Sequence, residues 1–353
     1  MPWKDVLRQL LKRRLAVACF IVMALFTFVA ATATLWVSDS DLAARTSENA
    51  LDEKTGLERS YHPPGWYLWL QPDHDHFRKT GQDPATKLDN PPLPQEKRAW
   101  GFFDARTWHL PLGCNIHGVS VLAKLVRGTQ LAFLIGIVPT VISSIIAVIM
   151  GLCAGYFGKW IDDGIGYLIN TLASIPFVLL LIAFIQAVRD SEGIARWFEK
   201  FGIEAKDSRN LILVLVVIGL TTWIGLSRLV RAEVIKHKNR EYVQAARALG
   251  ASHLRVIFKH ILPNVMHLVI ITFTLGFVGS VGLEVFLSFV GIGIDSTLHT
   301  WGQLIVGGRN ELQREPSVWW PLTFATGALF TLSLAFSLFG DALRDALDPK
   351  LRT

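Results

Sequence analysis

Residues 241–265, EYVQAARALGASHLRVIFKHILPNV, carry Arg247, Arg255 and Lys259 and lie between two long apolar blocks. The preceding block, 211–227, has no charged residue, and the following one, 265–290, has one acid, Glu284, and neither Lys nor Arg. A basic, partly amphipathic stretch between two such blocks belongs at a membrane surface, and the side on which it lies orients the whole chain.

Four further apolar blocks occur, at 15–37, within 128–158, within 164–188 and at 320–339. About 20 apolar residues at a rise of ~1.5 Å each cross a hydrocarbon layer of ~30 Å, so each block is a candidate span. Helices are the expected form, because a lone strand in lipid leaves its backbone groups unpaired. The chain is therefore read as an all-α integral membrane protein with six transmembrane helices. With 51% hydrophobic residues gathered into blocks, the 353-residue chain does not have the pattern of a soluble two-domain protein.

The net charge of +6 would by itself permit a nucleic-acid partner, but its placement points to membrane orientation. Lys4, Arg8, Lys12, Arg13 and Arg14 precede the first span. Arg228, Arg231, Lys236, Lys238, Arg240, Arg247, Arg255 and Lys259 lie between the fourth and fifth, against only Glu233 and Glu241. Arg344, Lys350 and Arg352 follow the sixth. With six spans all three groups fall on one side, which the excess of Lys and Arg marks as cytoplasmic. The expected organisation is a cytoplasmic start and first helix over 1–37, an external segment over 38–127, a core of five spans over 128–340 with a cytoplasmic loop at 240–263, and a cytoplasmic tail over 341–353. Membrane lipid is the expected surrounding, and no nucleic-acid partner is expected. The N-terminus also admits reading as a signal peptide with a cleavage site at Ala31-Thr32-Ala33, but its apolar run exceeds the usual ~7–15 residues, and it is retained as a helix.

The external segment has turn signals at Pro63-Pro64-Gly65 and Pro91-Pro92-Leu93-Pro94 together with Trp66, Trp69, Trp100, Phe102, Phe103 and Trp108. Such aromatic content is foreign to disordered tails and predicts a small ordered cap or packed insertion. Within it, Asp73-His74-Asp75-His76 offers metal-ligand chemistry, but adjacent residues without a third cluster favour a solvated loop. Asp104, His109 and His117 are scattered. Cys19, Cys114 and Cys153 have no disulfide or CxxC spacing. No GxxxxGK[ST], GxSxG or HExxH motif occurs, so no ATP hydrolysis by a phosphate loop is expected of this chain, and no catalytic, cofactor or metal residue is assigned. Glu284, an acid inside an apolar block, is a candidate pathway or subunit contact, and it carries the alternative of a proton-coupled carrier. Pro139 and Pro176 interrupt spans two and three as kinks or accommodated prolines.

In the opening stretch, Val243, Ala246, Gly250, Leu254, Ile257 and Ile261 recur at helical spacing. Gly250 predicts two short helices with a bend, and Pro263-Asn264 marks entry to the fifth span. Ala245 and Ala246 allow close approach of another surface. The residues alone leave two readings level: a helix on lipid headgroups, and a docking element for a partner protein.

Gln244-Ala245-Ala246, Gly250 and Leu262-Pro263 resemble the EAA loop of permease subunits in ATP-binding-cassette importers, with Gln244 in place of the motif's Glu and His260 in place of its Ile. The run Arg247-Ala248-Leu249-Gly250-Ala251-Ser252, followed by His260-Ile261-Leu262-Pro263-Asn264, is similar to the dipeptide and oligopeptide branch. So are His109-Leu110-Pro111-Leu112-Gly113, Glu284 with Leu287-Ser288-Phe289-Val290-Gly291-Ile292-Gly293, Trp301-Gly302, and the stretch 340–349. The acidic and Gly-Arg-Asp part that follows the His-Pro-Leu-Gly element in the family is absent here. The long insertion at 38–108 resembles the sub-branch linked to uptake of peptides and microcin C.

The resemblance implies a type I importer (MetI-like) permease fold with a large periplasmic insertion, in a bacterial inner membrane. It implies a second permease subunit, ATPase subunits that hold ATP and Mg, a periplasmic substrate-binding protein and a peptide-type substrate. It also implies that Gln244, Ala245, Ala246, Gly250, His260, Leu262 and Pro263 belong to the loop that couples the spans to the ATPase.

Overall fold

The computed structural model describes residues 3–37, 111–115, 119–189, 206–292, 298–313 and 318–347, with a few isolated positions between them. Most of the expected external insertion lies outside these residues, as do Asp73, His74, Asp75, His76, Asp104, His109 and His117.

The described elements are helical, apart from one isolated antiparallel bridge between Cys114 and Ser120. In chain order they are α1 (Trp3–Lys12), α2 (Arg14–Trp36), α3 (Val121–Phe157), α4 (Lys159–Ala173), α5 (Phe177–Arg189), α6 (Lys206–Thr221), α7 (Ile224–Lys238), α8 (Glu241–Ala248), α9 (His253–Arg255), α10 (Leu262–Val290), α11 (Trp301–Leu312) and α12 (Trp320–Leu347), with a π-helical turn at Val256–Ile261 leading into α10. Among the described residues, five stretches are long and apolar enough to cross a membrane: Arg14–Trp36, Val121–Phe157, Ser208–Lys238, His253–Val290 and Trp320–Leu347. The third block of the sequence is not a straight span. It folds as α4 and α5, bent by 92° at Ser174–Ile175–Pro176, so the count of six holds when this pair is taken as one broken span. Two further helices, α1 and α11, have no counterpart in the hydropathy pattern.

The chain divides into two compact units. The larger comprises Met1–Ala24, Leu134–Asp295 and Ser333–Thr353. Its helices approach closely wherever α3 carries glycine. A Cβ at Gly136 would strike the ring of Phe277, which stacks on Phe336 at 3.8 Å between centroids. A Cβ at Gly151 would lie 2.6 Å from Val230, and one at Gly155 would lie 2.8 Å from Val234. Small residues at a seam of this kind let apolar helices gain dispersion contacts that lipid would otherwise supply. Thr140 and Ser280, 3.3 Å apart at their hydroxyls, add a polar link between α3 and α10. At the chain ends, Val6 of α1 packs with Leu343, Ala346 and Leu347 of α12, and Arg13 pairs with Asp345 at 2.5 Å.

The second unit comprises Leu25–Phe133 and Ser296–Leu332. Trp301, 1% exposed, opens α11 and anchors this unit. Its indole donates to the Leu125 carbonyl at 3.2 Å and covers Gly128, where a Cβ would be 2.6 Å away. Trp320 donates to the Cys114 carbonyl at 2.8 Å. Thr300 caps α11 by accepting from Gln303 N–H at 3.2 Å. Next to that cap, burial together with the charges of Lys124 and Arg127 pushes the His299 imidazole down to about 4.

Candidate functional site

The loop between α7 and α10 is built from two arms. Extended backbone at Arg240 starts α8, and Glu241 in its first turn complements the helix dipole. The helix ends at Gly250, whose φ is +80°. Gly250 N–H donates to the Arg247 carbonyl at 2.9 Å, and Ala251 N–H reaches back to the Ala246 carbonyl at 3.0 Å. This paired pattern closes a helix around a left-handed residue, a conformation that glycine adopts without steric cost. The Ser252 side chain then caps the second arm by accepting from Arg255 N–H at 3.4 Å. Pro263 enters α10 in its first turn, where a missing N–H is tolerated best.

One side of the loop is embedded. Val243, Val256 and Ile261 are fully buried and Ile257 nearly so, packed with Leu152 and Tyr156 of α3 and with Val230 and Val234 of α7. The opposite side exposes Leu249 at 89%, Leu254 at 65% and Phe258 at 61%. Leu249 and Leu254 bracket the Gly250 turn and Phe258 lies in the π-helical turn beyond it, all three exposed within a basic stretch.

The predicted bend is present, but the single apolar stripe is not. Val243, Ile257 and Ile261 face inward as expected, whereas Leu254 faces outward and Val256 replaces it in the core. The left-handed turn resets the helical phase, so a period counted through Gly250 puts Leu254 on the wrong face while Ile257 and Ile261 keep theirs. Of the expected loop residues, Gln244, Ala245, Gly250 and Pro263 are exposed, and Ala246, His260 and Leu262 are partly buried. Gln244 Nε2 donates to the Asn239 carbonyl at 3.3 Å, and the His260 carbonyl accepts from Asn264 Nδ2 at 2.7 Å. They are spread over both arms rather than gathered into one cluster. The helical period places Leu254 on the inner stripe, and Leu249 and Phe258 lie outside that period, so nothing in the sequence marks the exposure of these three. Tyr242, at the start of the first arm, has its phenol pushed above the ordinary range, chiefly by desolvation.

Glu284 lies elsewhere, toward the C-terminal end of α10. It is 2% exposed, enclosed by its own chain, and accepts from Ser288 Oγ at 2.9 Å. Among the described residues no group of three His, Cys, Asp or Glu is placed to hold a metal ion.

Residues 132–353 match the family described as the binding-protein-dependent transport system inner membrane component, and residues 1–64 match the N-terminal TM domain of oligopeptide transport permease C. The chain belongs to this permease family. It is 32% identical to the oligopeptide transport system permease protein OppC of Haemophilus influenzae over 74% of its own length and 78% of that protein's. It is 30% identical to OppC of Bacillus subtilis over 76% and 77% of the two lengths. The dipeptide transport system permease protein DppC of Alkalihalophilus pseudofirmus is 26% identical over 100% of this chain and 91% of its own. Among solved structures, a chain of the inward-facing MetNI methionine ABC transporter covers 64% of this chain at 20% identity, with a TM-score of 0.47.

The protein is thus a multi-pass membrane permease subunit of an ABC importer family, with no support from these relationships for a proton-coupled carrier built on Glu284.

Proposed function

We propose that this permease carries peptides or peptide-like compounds across the bacterial inner membrane, with both termini in the cytoplasm. It forms the pathway with a second permease subunit and receives substrate from a periplasmic binding protein. ATP and Mg are held and turned over by separate ATPase subunits, and this chain contributes no catalytic group. The names of the relatives support the substrate class, and the distribution of Lys and Arg supports the orientation.

The 240–263 loop is the element that couples ATPase to spans. The observation that carries this reading is the division of the loop into an embedded face and an outward apolar face. Leu249, Leu254 and Phe258 are each exposed apolar side chains of this loop, the kind of anchor that fills a pocket on a partner. Arg255 and Lys259, exposed in the same loop, favour an acidic rim on that partner. Gln244 at the motif's acid position keeps the loop neutral there, and Ala245 and Ala246 leave room for close approach. Glu284 is a buried polar group of the α10 span, and a pathway or subunit contact through it would require that span to move and uncover it.

The test is association and stimulation in the assembled transporter. Leu249→Asp combined with Phe258→Asp is expected to release the ATPase subunits on affinity purification and to abolish substrate-stimulated hydrolysis. Retention of both would reject the coupling assignment.

A further inference from the structure

Two tyrosines, one beneath the loop in α3 and one at the exposed start of its first arm, have hydroxyls that bond to histidines. Tyr156, 3% exposed, sits in the last turn of α3, with its OH 2.9 Å from Nδ1 of His253 at the start of the second arm. The guanidinium of Arg247, in the first arm, lies 4.9 Å from the centre of the same ring. One side chain from a membrane helix therefore grips the loop on both sides of the Gly250 turn.

The second tyrosine works from within the loop. Tyr242 OH lies 2.7 Å from His237 Nδ1 in the last turn of α7, and Asn264 Nδ2 in the first turn of α10 donates to it at 3.4 Å. His237 Nε2 lies 3.3 Å from Glu233 Oε1. An Nε2–H directed at that carboxylate leaves Nδ1 to accept the phenol proton, so Asn264, Tyr242, His237 and Glu233 form a run of consistent donors and acceptors, with Asn264 Nδ2 also donating to the His260 carbonyl. The run joins the end of α7, the start of α8 and the start of α10.

We propose that Tyr156 and Tyr242 are positioning residues that lock the two arms of the 240–263 loop to α3, α7 and α10, so that a push on the exposed tip moves the spans instead of deforming the loop. The inference rests on the coupling assignment of the loop. Its physical ground is that apolar packing is non-directional and lets a loop slide over Val230, Val234 and Ile257, whereas hydrogen bonds with strict geometry fix register. Neither tyrosine belongs to the motif residues of the loop, and Tyr156 is distant from them in sequence.

The experiment uses the whole transporter in proteoliposomes: this chain, the second permease, the ATPase subunits and the loaded binding protein. A radiolabelled tripeptide is the probe, and tripeptide delivered per ATP hydrolysed is the readout. Tyr156→Phe and Tyr242→Phe keep the rings and remove the hydroxyls. Each is expected to lower that ratio roughly five-fold, the effect of one hydrogen bond of typical net strength, with complex yield unchanged. Tyr156→Phe with His253→Phe should cost no more than either alone, as expected for two halves of one contact, and His253→Gln should retain most of the ratio by keeping a hydrogen-bonding group. An unchanged ratio in the Tyr156→Phe/Tyr242→Phe double variant overturns the inference. So does a fall that only tracks loss of assembled complex, or fully additive effects of Tyr156→Phe and His253→Phe. The tip variants at Leu249 and Phe258 separate the two ideas. If they leave docking intact, the coupling assignment fails. If they abolish docking while both tyrosine variants couple normally, only the anchoring inference fails.

Discussion

The glycines of α3 and the glycine of the loop are opposites. At Gly136, Gly151 and Gly155 the backbone is ordinary helix and the missing side chain is what matters, because Phe277, Val230 and Val234 occupy the space a Cβ would need. At Gly250 a Cβ would meet nothing within 4 Å, yet φ is +80°. The seam needs glycine for volume, and the loop needs it for backbone sign. Substitutions at the two places should therefore fail in different ways: the seam through folding, and the loop through transmission.

The largest effect on stability is expected at the seam. Gly136→Leu drives a side chain into the stacked pair Phe277 and Phe336 and should cost about 3 kcal/mol or more, since overpacking forces backbone shifts. The amount of folded monomer recovered by size-exclusion chromatography checks this, and normal recovery would show that the seam can open. Gly250→Leu is expected to cost less, about 1–2 kcal/mol, from left-handed backbone strain alone. The protein should still insert in the membrane while transport is lost, and Gly250→Asn should recover part of it because Asn tolerates that conformation. A Gly250→Leu variant with full uptake would remove the distinction between the two kinds of glycine.

Acidification tests the second unit. The folded pKa of His299 is depressed to about 4 from an ordinary 6.5, so below 6.5 the unfolded chain binds the proton and the folded chain does not. The contribution of neutral His299 is present above pH 6.5 and is lost as the pH falls from 6.5 toward 4. Thermal unfolding of purified protein at about pH 7.5 and about pH 5, on either side of the ordinary imidazole range, should show this loss, and His299→Gln should reduce it. Equal pH dependence in the variant would place the sensitivity elsewhere.

The smallest stability effect is expected at the loop tip. Leu249→Asp lies on a residue that is 89% exposed and should change stability within about 0.5 kcal/mol while weakening ATPase association the most. A thermal shift comparable with that of Gly136→Leu would mean that the tip is packed in the folded protein.

The two prolines mark where the sequence was ambiguous. Pro139 and Pro176 each stand in an apolar block and each remove a backbone donor. Helix α3 runs unbroken through Pro139, where Thr140 Oγ1 donates to the Gly136 carbonyl at 2.6 Å and Gly276 packs against Thr140 from α10. At Pro176 the helix stops. Ser174 closes α4 by bonding the Thr171 carbonyl at 2.7 Å, residues 173–179 are exposed within the chain, and α5 leaves at 92°. Local sequence does not distinguish these cases. A neighbouring helix packed on one proline and absent from the other does.

The same division runs through the site. The apolar blocks, the basic clustering and the Gly250 bend were legible because length, charge and backbone conformation are local properties. The exposed position of Leu254 was not, because the left-handed turn at Gly250 rotates the face of the helix that follows. Nor were the tyrosine anchors, since Tyr156 and His253 are 97 residues apart and meet only when α3 packs under the loop. By itself the sequence determined that this protein is a bundle of membrane helices with a basic, bent loop before its fifth apolar block. Tertiary structure alone decided which side chains of that loop are held and which are offered, because burial depends on contacts between distant segments that no local period encodes.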